Sequence, residues 1–258
     1  MVNFISVNVN GLKDVQKFQK LCTYCEENYY DIIALQETFW DNKFFTDHKN
    51  LWGGEIFVSF SESGRQGVAF LVSSRFKNNF TVINNFGGRF LHIQVSESDH
   101  IIDVINVYFP NSVDEREKFC IKISEIMPIS DNTVFLGDFN TSLSSLDRSG
   151  SGRHFEDKAF KALSLLLSNH NLYDVWRARN KTVRVFSWRR VVENVLLQSR
   201  IDFIFITHLI SPFVKNIIYK HNAFSDHSFV VLSVDFSQVE RGPGVWIFNN
   251  TLLNDEEF

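Results

Sequence analysis

The sequence predicts an α/β sandwich, in which two packed β-sheets lie between outer layers of helices. Two observations support this fold class. Short strand-like runs outnumber helical patterns along the chain, and no repeat or low-complexity segment interrupts them. The chain has 258 residues, of which 44% are hydrophobic, so it is long enough to enclose one sizeable core.

The strands are predicted from runs of β-branched and aromatic residues. In chain order these runs are FISVNVN, DIIALQE, EIFVSF, GVAFLVS, FTVINNF, FLHIQVS, HIIDVINVYFP, TVFLGDFN, VRVFSW, SRIDFIFIT, VKNIIYK and FVVLSVDF. Helices are predicted over residues 13–28, 113–127 and 155–169, where apolar residues recur at helical spacing. In the last of these, Phe160, Leu163 and Leu167 share one face.

The chain changes character after Phe236, where a Gly-Pro-Gly break precedes an acidic end. We therefore predict one domain over residues 1–236 and a linker over residues 237–258. The linker contains large apolar residues such as Trp246 and Phe248, which are unfavourable in a solvent-exposed, disordered tail. We expect it to dock on the domain or to lead into another one.

Composition and charge exclude several classes of protein. The chain has no apolar run of about 18 residues that could span a membrane and no signal-peptide pattern. We therefore expect a soluble, intracellular protein. The net charge of −4 argues against wholesale electrostatic capture of nucleic acid. Residues 177–190, RARNKTVRVFSWRR, nevertheless hold six basic side chains and no acidic one, which is typical of either a phosphate-facing surface or a solvated strand.

The three cysteines do not form a convincing site. An odd number in a chain of this length argues against a disulfide framework. Cys22 and Cys25 form a C-x-x-C pair, but no second pair or nearby histidine completes a metal site. Val15 and Phe18 fall on the same helical stripe, which favours packing as the explanation.

Several predicted strands end in polar side chains. They are Asn8, Asn10, Glu37, Tyr108, Asp138 and Asn140. In addition, Asp202 lies inside the apolar run SRIDFIFI, where a lone carboxylate is costly without a partner, and Asp226 and His227 precede another strand. Each of these residues, taken singly, could have a purely structural role, such as a turn residue or a helix or strand cap. Together, if the strands lie side by side, the side chains converge on one rim.

These residue types match the needs of phosphodiester hydrolysis. That reaction requires a divalent cation on a carboxylate, a group that activates water, and donors for the charge on the phosphorus oxygens. Magnesium fits better than zinc because the candidate ligands are oxygens, with Glu37 as the first choice. Asp202 would hold His227 in one tautomer and stabilise its charged form. Serine catalysis is less attractive because no G-x-S-x-G elbow is present.

Six short motifs span most of the chain. They are NVNGL, LQET, NVYFPN, GDFN, RIDFI and SDH. In sequence and in order they resemble the motifs of the endonuclease/exonuclease/phosphatase superfamily. Within the superfamily, TSLSSLDRSG and RGPGVWIFNNTLLND look like the endonuclease domain of LINE-type non-LTR retrotransposon polyproteins.

The resemblance implies a four-layer α/β sandwich of two mostly antiparallel sheets and a catalytic set. Glu37 and Asn8, with Asp226 nearby, would hold Mg²⁺, for which Mn²⁺ could substitute. Asp138 would activate the attacking water and Asn140 would orient it.

The remaining implied roles concern the phosphate and the DNA. His227, paired with Asp202, would stabilise the transition state, and Tyr108 would support the leaving group. The residues implied to contact the DNA backbone are Asn10, Asn111, Arg148 and Ser187.

The resemblance also implies a function and partners. The enzyme would nick one strand of double-stranded DNA and leave a 3′-hydroxyl and a 5′-phosphate. The 3′-hydroxyl would prime reverse transcription of the element RNA by the reverse transcriptase of the same polyprotein. Such a protein would be translated in the cytoplasm and act in the nucleus.

Target selection is predicted to involve a hairpin over residues 186–201. Its tip, predicted over residues 189–194, would enter the minor groove, where arginine is favoured when the groove is narrow. We therefore expect Arg189 and Arg190 to tune the choice of nick site.

Three alternatives remain open from the sequence. An abasic-site repair endonuclease would share the catalytic set, although Asn10 stands where repair enzymes usually have aspartate. A messenger-RNA deadenylase belongs to the same superfamily. A catalytically inactive DNA-binding module would be expected to lack some of the polar groups, and all of them are present.

Overall fold

Two six-stranded sheets pack face to face in the computed structural model of the chain. The structure describes residues 1–60, 64–76, 79–97, 100–128, 130–149 and 156–237. The strands are β1 Val2–Asn8, β2 Ile32–Gln36, β3 Glu55–Ser59, β4 Val68–Val72, β5 Asn79–Phe86, β6 Phe90–Glu97, β7 His100–Tyr108, β8 Thr133–Asp138, β9 Leu172–Asp174, β10 Trp188–Val192, β11 Val195–Ser199, β12 Asp202–Thr207, β13 Val214–Lys220 and β14 Phe229–Val234.

Helices cover the outer faces of the two sheets. They are α1 Val15–Glu27, α2 Asn42–His48, α3 Val113–Ile126, α4 Lys158–Asn169 and α5 Val175–Arg179. Four of them begin on an aspartate whose side chain accepts a backbone N–H of the first turn, namely Asp14, Asp41, Asp157 and Asp174. These caps satisfy donors that a helix start otherwise leaves unpaired.

The strand order brings the motif-bearing strands to the centre of each sheet. The first sheet runs β13-β14-β1-β2-β4-β3 and the second runs β5-β6-β7-β8-β12-β9. Only β1–β2 and β7–β8 are parallel pairs, and the other pairs in both sheets are antiparallel. The carboxyl ends of β1, β2, β7 and β8 therefore point to one rim, where β12 and β14 begin.

Three apolar clusters hold the layers together. One lies between the sheets and includes Phe4, Phe70 and Leu136. The second lies beneath α1 and the third beneath α3 and α4. This order of helices, sheet, sheet and helices confirms the predicted four-layer α/β sandwich with mostly antiparallel sheets.

The structure corrects several details of the sequence predictions. The run VRVFSW is not a strand, because residues 183–186 are irregular and β10 begins only at Trp188. The sequence patterns also did not predict β9, α2 or α5, which are short. The hairpin itself is present, with β10 and β11 as its strands.

The tip of the hairpin differs from the prediction. The turn consists of Glu193 and Asn194, which both have positive φ, as a two-residue hairpin turn requires. Arg189 and Arg190 lie in β10, paired with Gln198 and Leu197. They are therefore on the body of the hairpin.

Three other predictions concern the cysteine pair, membrane-spanning helices and the end of the chain. Cys22 and Cys25 are buried in the core beneath α1, and burial raises the pKa of Cys22 to about 12. This placement agrees with a packing role. Among the described residues, no helix is long and apolar enough to cross a membrane. The predicted linker over 237–258 lies outside the described residues except for Ser237.

Candidate active site

Polar side chains from both sheets meet at one rim of the sandwich. Asn8 is the last residue of β1, and its Nδ2 donates to Glu37 Oε1 and to Asp138 Oδ2, each at 2.9 Å. Glu37 follows β2 in the first sheet, whereas Asp138 ends β8 in the second. The amide of Asn8 therefore connects two carboxylates that belong to different sheets.

A second amide contact joins the sheets beneath this rim. Gln36 Nε2 donates to Asn106 Oδ1 at 2.8 Å, and both side chains are fully buried. Asn106 Nδ2 in turn donates to the carbonyl oxygens of Leu35 and Ala69. Since buried polar groups are costly without partners, this contact fixes how the two sheets meet under the site.

Three residues of the rim have left-handed backbone conformations. Asn10, Glu37 and Asn140 have φ of 45°, 54° and 48°, and each comes shortly after a strand end. Such conformations are uncommon for residues other than glycine. Gly137 adds a close approach in the same region, since a Cβ there would lie 2.0 Å from the carbonyl oxygen of Val107. The local backbone is thus shaped to turn polar side chains into the rim.

His227 and Asp202 form a hydrogen-bonded pair in the wall of the site. The His227 Nδ1 atom lies 3.0 and 2.9 Å from the two carboxylate oxygens of Asp202. Asp202 is fully buried, and its N–H donates to Ser187 Oγ at 3.0 Å. The pairing leaves the other ring nitrogen of His227 for a further partner.

Charge and burial shift the pKa values of this wall strongly. Burial opposes the charge of His227, but the nearby Asp202 and Asp138 carboxylates raise the pKa of His227 to about 10. Burial and the neighbouring charge of Asp202 raise the pKa of Asp138 to about 7. His227 is therefore an imidazolium at neutral pH, and Asp138 can gain or lose a proton in that range.

A cavity of about 450 Å³ opens over these groups. Most of the predicted site residues line it, namely Asn8, Asn10, Glu37, Asn111, Asp138, Asn140, Arg148, Asp226 and His227. Asp226 accepts from Asn10 Nδ2 at 3.2 Å and from Trp188 Nε1 at 3.0 Å. The cavity thus combines carboxylates and amides in the centre with an exposed arginine, Arg148, at its wall.

Tyr108 lies behind this cavity rather than on its lining. It is buried, and burial together with the charge of Glu37 and a hydrogen bond to it raises the pKa of its hydroxyl. The Arg89 guanidinium stacks over the Tyr108 ring at 4.7 Å. The Tyr108 hydroxyl is therefore protonated at neutral pH, and it donates its proton to the Glu37 carboxylate.

The donor set fits a hard divalent cation. Glu37 and Asp226 present carboxylate oxygens to the same cavity, as magnesium sites require. The Asn8 amide is turned differently from the prediction, since its Oδ1 accepts the Asn10 N–H at 2.9 Å while its Nδ2 faces the carboxylates. In this arrangement Asn8 spaces the two carboxylates.

A second grouping, Asp138, Asp202 and His227, also lies close enough to consider as a metal site. One ligand atom from each falls within 4.8 Å of the others. However, His227 Nδ1 already contacts both Asp202 oxygens, so these atoms are committed to each other. This grouping is better described as a hydrogen-bonded histidine–aspartate pair beside a carboxylate.

Three predicted DNA contacts lie away from the cavity lining. Ser187 is fully buried, and its Oγ accepts the N–H groups of Ile201 and Asp202, so its position does not support direct contact with phosphate. Arg189 Nη2 contacts the His221 ring at 2.8 Å. Arg190 is exposed on the hairpin.

The structure also adds residues that the sequence did not single out. Arg116 lines the cavity and donates to the carbonyl oxygen of Asn111 at 2.6 Å, and Trp188 forms part of the opposite wall. The sequence did not indicate Arg116 because it lies in the charged run DERE, which is typical of the solvent-exposed start of a helix. Trp188 belongs to the motif FSW, so the sequence could have indicated that it lies near the site.

Comparison with known proteins gives a consistent result. Residues 5–227 match the Endonuclease/Exonuclease/phosphatase family. The chain is 31% identical, over 98% of its length, to the Transposon TX1 uncharacterized 149 kDa protein of Xenopus laevis. It spans about a fifth of that relative.

Solved structures with the same fold include an AP endonuclease and a retrotransposon endonuclease domain. An AP endonuclease from Archaeoglobus fulgidus matches with a TM-score of 0.72 and 21% identity, covering 91% of this chain and 100% of its own. The endonuclease domain of TRAS1, a telomere-specific non-LTR retrotransposon, matches with a TM-score of 0.68 and 13% identity, covering 92% and 100%. At these identities the likeness establishes the fold.

Proposed function

Because the chain belongs to the endonuclease/exonuclease/phosphatase family, we propose that it is a metal-dependent DNA endonuclease that nicks one strand of duplex DNA. One observation carries the proposal above all. Asn8 joins Glu37 to Asp138 across the two sheets, directly beside the His227–Asp202 pair. This arrangement supports the proposal, because phosphodiester hydrolysis requires metal ligands, a base and a cationic donor close together.

The residues of the cavity have distinct proposed roles. Glu37 and Asp226 would hold Mg²⁺, or Mn²⁺ in its place, and the cation supplies charge stabilisation to the phosphate oxygens when bound. Asp138, with a pKa raised to about 7, accepts the proton of the attacking water. Asn140 is fixed beside it, because its backbone N–H donates to Asp138 Oδ1 at 2.9 Å and its Nδ2 donates to the Phe109 carbonyl oxygen.

Two further donors act on the phosphate. The His227 imidazolium, held by Asp202, neutralises charge that develops on the phosphorus oxygens. The Tyr108 hydroxyl, kept protonated by its raised pKa, donates to Glu37 and would turn from it to support the leaving oxygen. Asn10, Asn111 and Arg148 line the cavity and would grip the backbone on either side of the scissile bond.

The biological setting is part of the proposal. The similarity to a transposon protein from Xenopus laevis supports a role in which the 3′-hydroxyl of the nick primes reverse transcription of element RNA. The partners would be the element RNA and a reverse transcriptase in the same, longer polyprotein. The linker at 237–258 would lead to that reverse transcriptase. Such a protein would be translated in the cytoplasm and would act in the nucleus.

Relaxation of supercoiled plasmid tests the enzymatic part of the proposal. We expect nicked circles from the parent chain with Mg²⁺, and none with EDTA or from Glu37→Ala. The nick should carry a 3′-hydroxyl, which a DNA polymerase can extend. A folded parent chain that leaves plasmid supercoiled in Mg²⁺ and in Mn²⁺ would contradict the proposal and favour a DNA-binding module without catalysis.

Target choice is a second part of the proposal. Arg189 and Arg190 lie on the hairpin whose base forms a wall of the cavity through Trp188 and Ser199. In Arg189→Ala/Arg190→Ala we expect the positions of nicks to be redistributed while plasmid relaxation continues. An unchanged map of nick positions would show that these arginines do not read the target.

An abasic-site repair endonuclease is the second candidate, favoured by the shared fold with an AP endonuclease. The two functions predict different substrates. Cleavage rates on matched duplexes, one intact and one with a single abasic site, separate them. A strong preference for the abasic duplex would support repair.

A further inference from the structure

A second cleft of about 410 Å³ opens beside the cavity, between α3 and the turn that joins β5 to β6. Three cationic side chains line it, Arg89, Lys118 and Lys122, against one carboxylate, Glu115. Phe86 and Phe119 form its apolar floor. Its excess of positive charge contrasts with the carboxylates of the neighbouring cavity.

Neither lysine forms a salt bridge in the described part of the chain, although the Asp114 carboxylate interacts electrostatically with Lys118. Lys118 and Lys122 are exposed and lie one helical turn apart on α3, where like charges repel each other. On the same helix, Asp114 and Glu117 are both paired with Lys158. The Lys122 Nζ lies 3.9 Å from the centroid of the Phe86 ring, which holds this ammonium over the cleft.

Two adjacent residues after β7 line the cleft and the cavity. Pro110 lines the cleft and Asn111 lines the cavity. Arg89 lines the cleft and contacts Tyr108, since it stacks on the Tyr108 ring and its Nη1 donates to the Tyr108 carbonyl oxygen at 3.1 Å. A chain-like ligand that leaves the cavity past Asn111 would therefore enter the cleft.

Strand order places the cleft and the hairpin on opposite sides of the site. In the second sheet, β6, β7, β8 and β12 are consecutive, and Asp138 ends β8. The cleft adjoins β6, whereas the hairpin leads into β12. Strands lie about 4.8 Å apart, so β6 and β12 are separated by about 14 Å, which corresponds to about four nucleotides of one strand at roughly 3.4 Å each.

We propose that Lys118 and Lys122 form a second DNA contact surface, which binds the phosphate backbone of the target on the side of the cavity opposite the hairpin. The proposal rests on the proposed function. The phosphates would contact the two ammonium groups, and the sugars would lie against Phe86 and Pro110. Target DNA would then be held on both sides of the scissile bond.

Binding measured in EDTA tests this surface without requiring turnover. We compare the parent chain with Lys118→Gln/Lys122→Gln, and with Lys49→Gln/Lys161→Gln as a control of equal charge change at exposed positions elsewhere. Each phosphate contact contributes about one unit to the slope of log Kd against log salt. We expect the slope to become shallower by about two in the first variant and to be unchanged in the control.

Duplexes shortened from one end sharpen the test. Around a mapped nick position, we trim the arm on either side separately and measure affinity. Trimming the arm on one side should weaken the parent but not Lys118→Gln/Lys122→Gln, while both should respond to trimming of the other arm. A variant that keeps the parent's salt slope and its response to both arms would overturn the proposal, and so would an equal loss in the control.

The outcome is distinguishable from failure of the proposed function. A parent chain that binds DNA but never nicks it would overturn the endonuclease proposal, and the salt slopes would still report on the lysines. In that case the trimming series would use a duplex with a fixed binding position mapped by footprinting. If the variant lost affinity for an RNA stem and kept its affinity for DNA, the surface would belong to RNA, which overturns the proposal.

Discussion

Among the described residues, two buried histidine–aspartate pairs look alike in isolation. In the active site His227 Nδ1 contacts Asp202, and in the second sheet His92 Nε2 lies 2.7 Å from Asp103 Oδ1. All four side chains are buried. A search for paired histidine and aspartate alone would rank them equally.

Their surroundings differ in three respects. His227 lines a cavity, whereas His92 is 1% exposed and its Nδ1 has no hydrogen-bond partner among the described residues. Asp138 adds a second carboxylate beside the first pair. Asp103 receives a Gln94 amide instead and lies five residues before Tyr108 on β7, about 17 Å from the rim. Solvent access and a second carboxylate therefore distinguish the pair that we propose to be catalytic from the pair inside the sheet.

Removing each histidine should separate the two roles most sharply. We expect His227→Ala to lower the rate of plasmid nicking by about a thousandfold, because the cationic donor to the phosphate is lost. His92→Ala should lower the free energy of unfolding by about 2 kcal/mol, because it leaves the buried Asp103 carboxylate short of a partner. Its nicking rate per folded molecule should stay within about twofold of the parent.

Nicking rates and urea unfolding of both variants check this contrast. Each rate is divided by the folded fraction at the assay temperature, so that lost stability is not mistaken for lost catalysis. Equal loss of nicking in the two variants would show that the structural distinction between the pairs is wrong.

The residues that support each pair offer a smaller test. Ser187 Oγ accepts the N–H of Asp202, and Gln94 Nε2 donates to Asp103 at 3.0 Å. In Ser187→Ala, Asp202 loses its backbone anchor, and we expect kcat to fall about tenfold with KM for plasmid little changed. Gln94→Ala should leave kcat unchanged and lower stability by about 1 kcal/mol.

The split between kcat and KM distinguishes this positioning role from the DNA contact that the sequence predicted for Ser187. A raised KM with normal kcat would restore the original prediction. Ser187→Thr retains a hydroxyl and should recover most of the parent kcat, which separates the missing hydrogen bond from a packing defect.

The sequence predicted which polar residues meet at the rim better than it predicted the surfaces around the rim. Polar residues such as Asn8 and Asp138 stand out because they interrupt apolar strands, and strand ends converge by topology. The sandwich followed from the same strand pattern. Those signals are local in sequence, so a single chain displays them.

Other features depend on contacts between distant segments. The roles of Ser187 and of the Asn8 amide follow from hydrogen-bond geometry that no pattern contains. The cleft of Lys118 and Lys122 lies between α3 and a turn almost thirty residues earlier. A charge pattern along the sequence does not predict that these two segments meet. The hairpin turn was misplaced because Glu193 is an unusual residue for a positive φ.

The dependence of stability on pH should separate the pairs by sign. The pKa of His227 is raised to about 10 in the folded chain. Between the usual histidine pKa and this value, the folded chain keeps a proton on His227 that the unfolded chain has released. This contribution is fully present below about pH 6.5 and is lost as the pH rises toward 10. Asp138, raised to about 7, likewise destabilises the folded chain as the pH rises from about 4 to 7.

The other pair acts in the opposite direction. Burial raises the pKa of Asp103, but its hydrogen bonds to His92, Ser130 and Gln94 outweigh this and lower it. Its stabilisation is present above the usual aspartate range and is lost only as the pH falls through the lowered value. Urea unfolding in EDTA between pH 3 and pH 9 should therefore show Asp202→Asn with a flatter decline above pH 7 and Asp103→Asn with a flatter decline at the acid end. If Asp202→Asn lost stability above pH 7 as steeply as the parent, the charge on His227 would not depend on its pair, and access alone would distinguish the two.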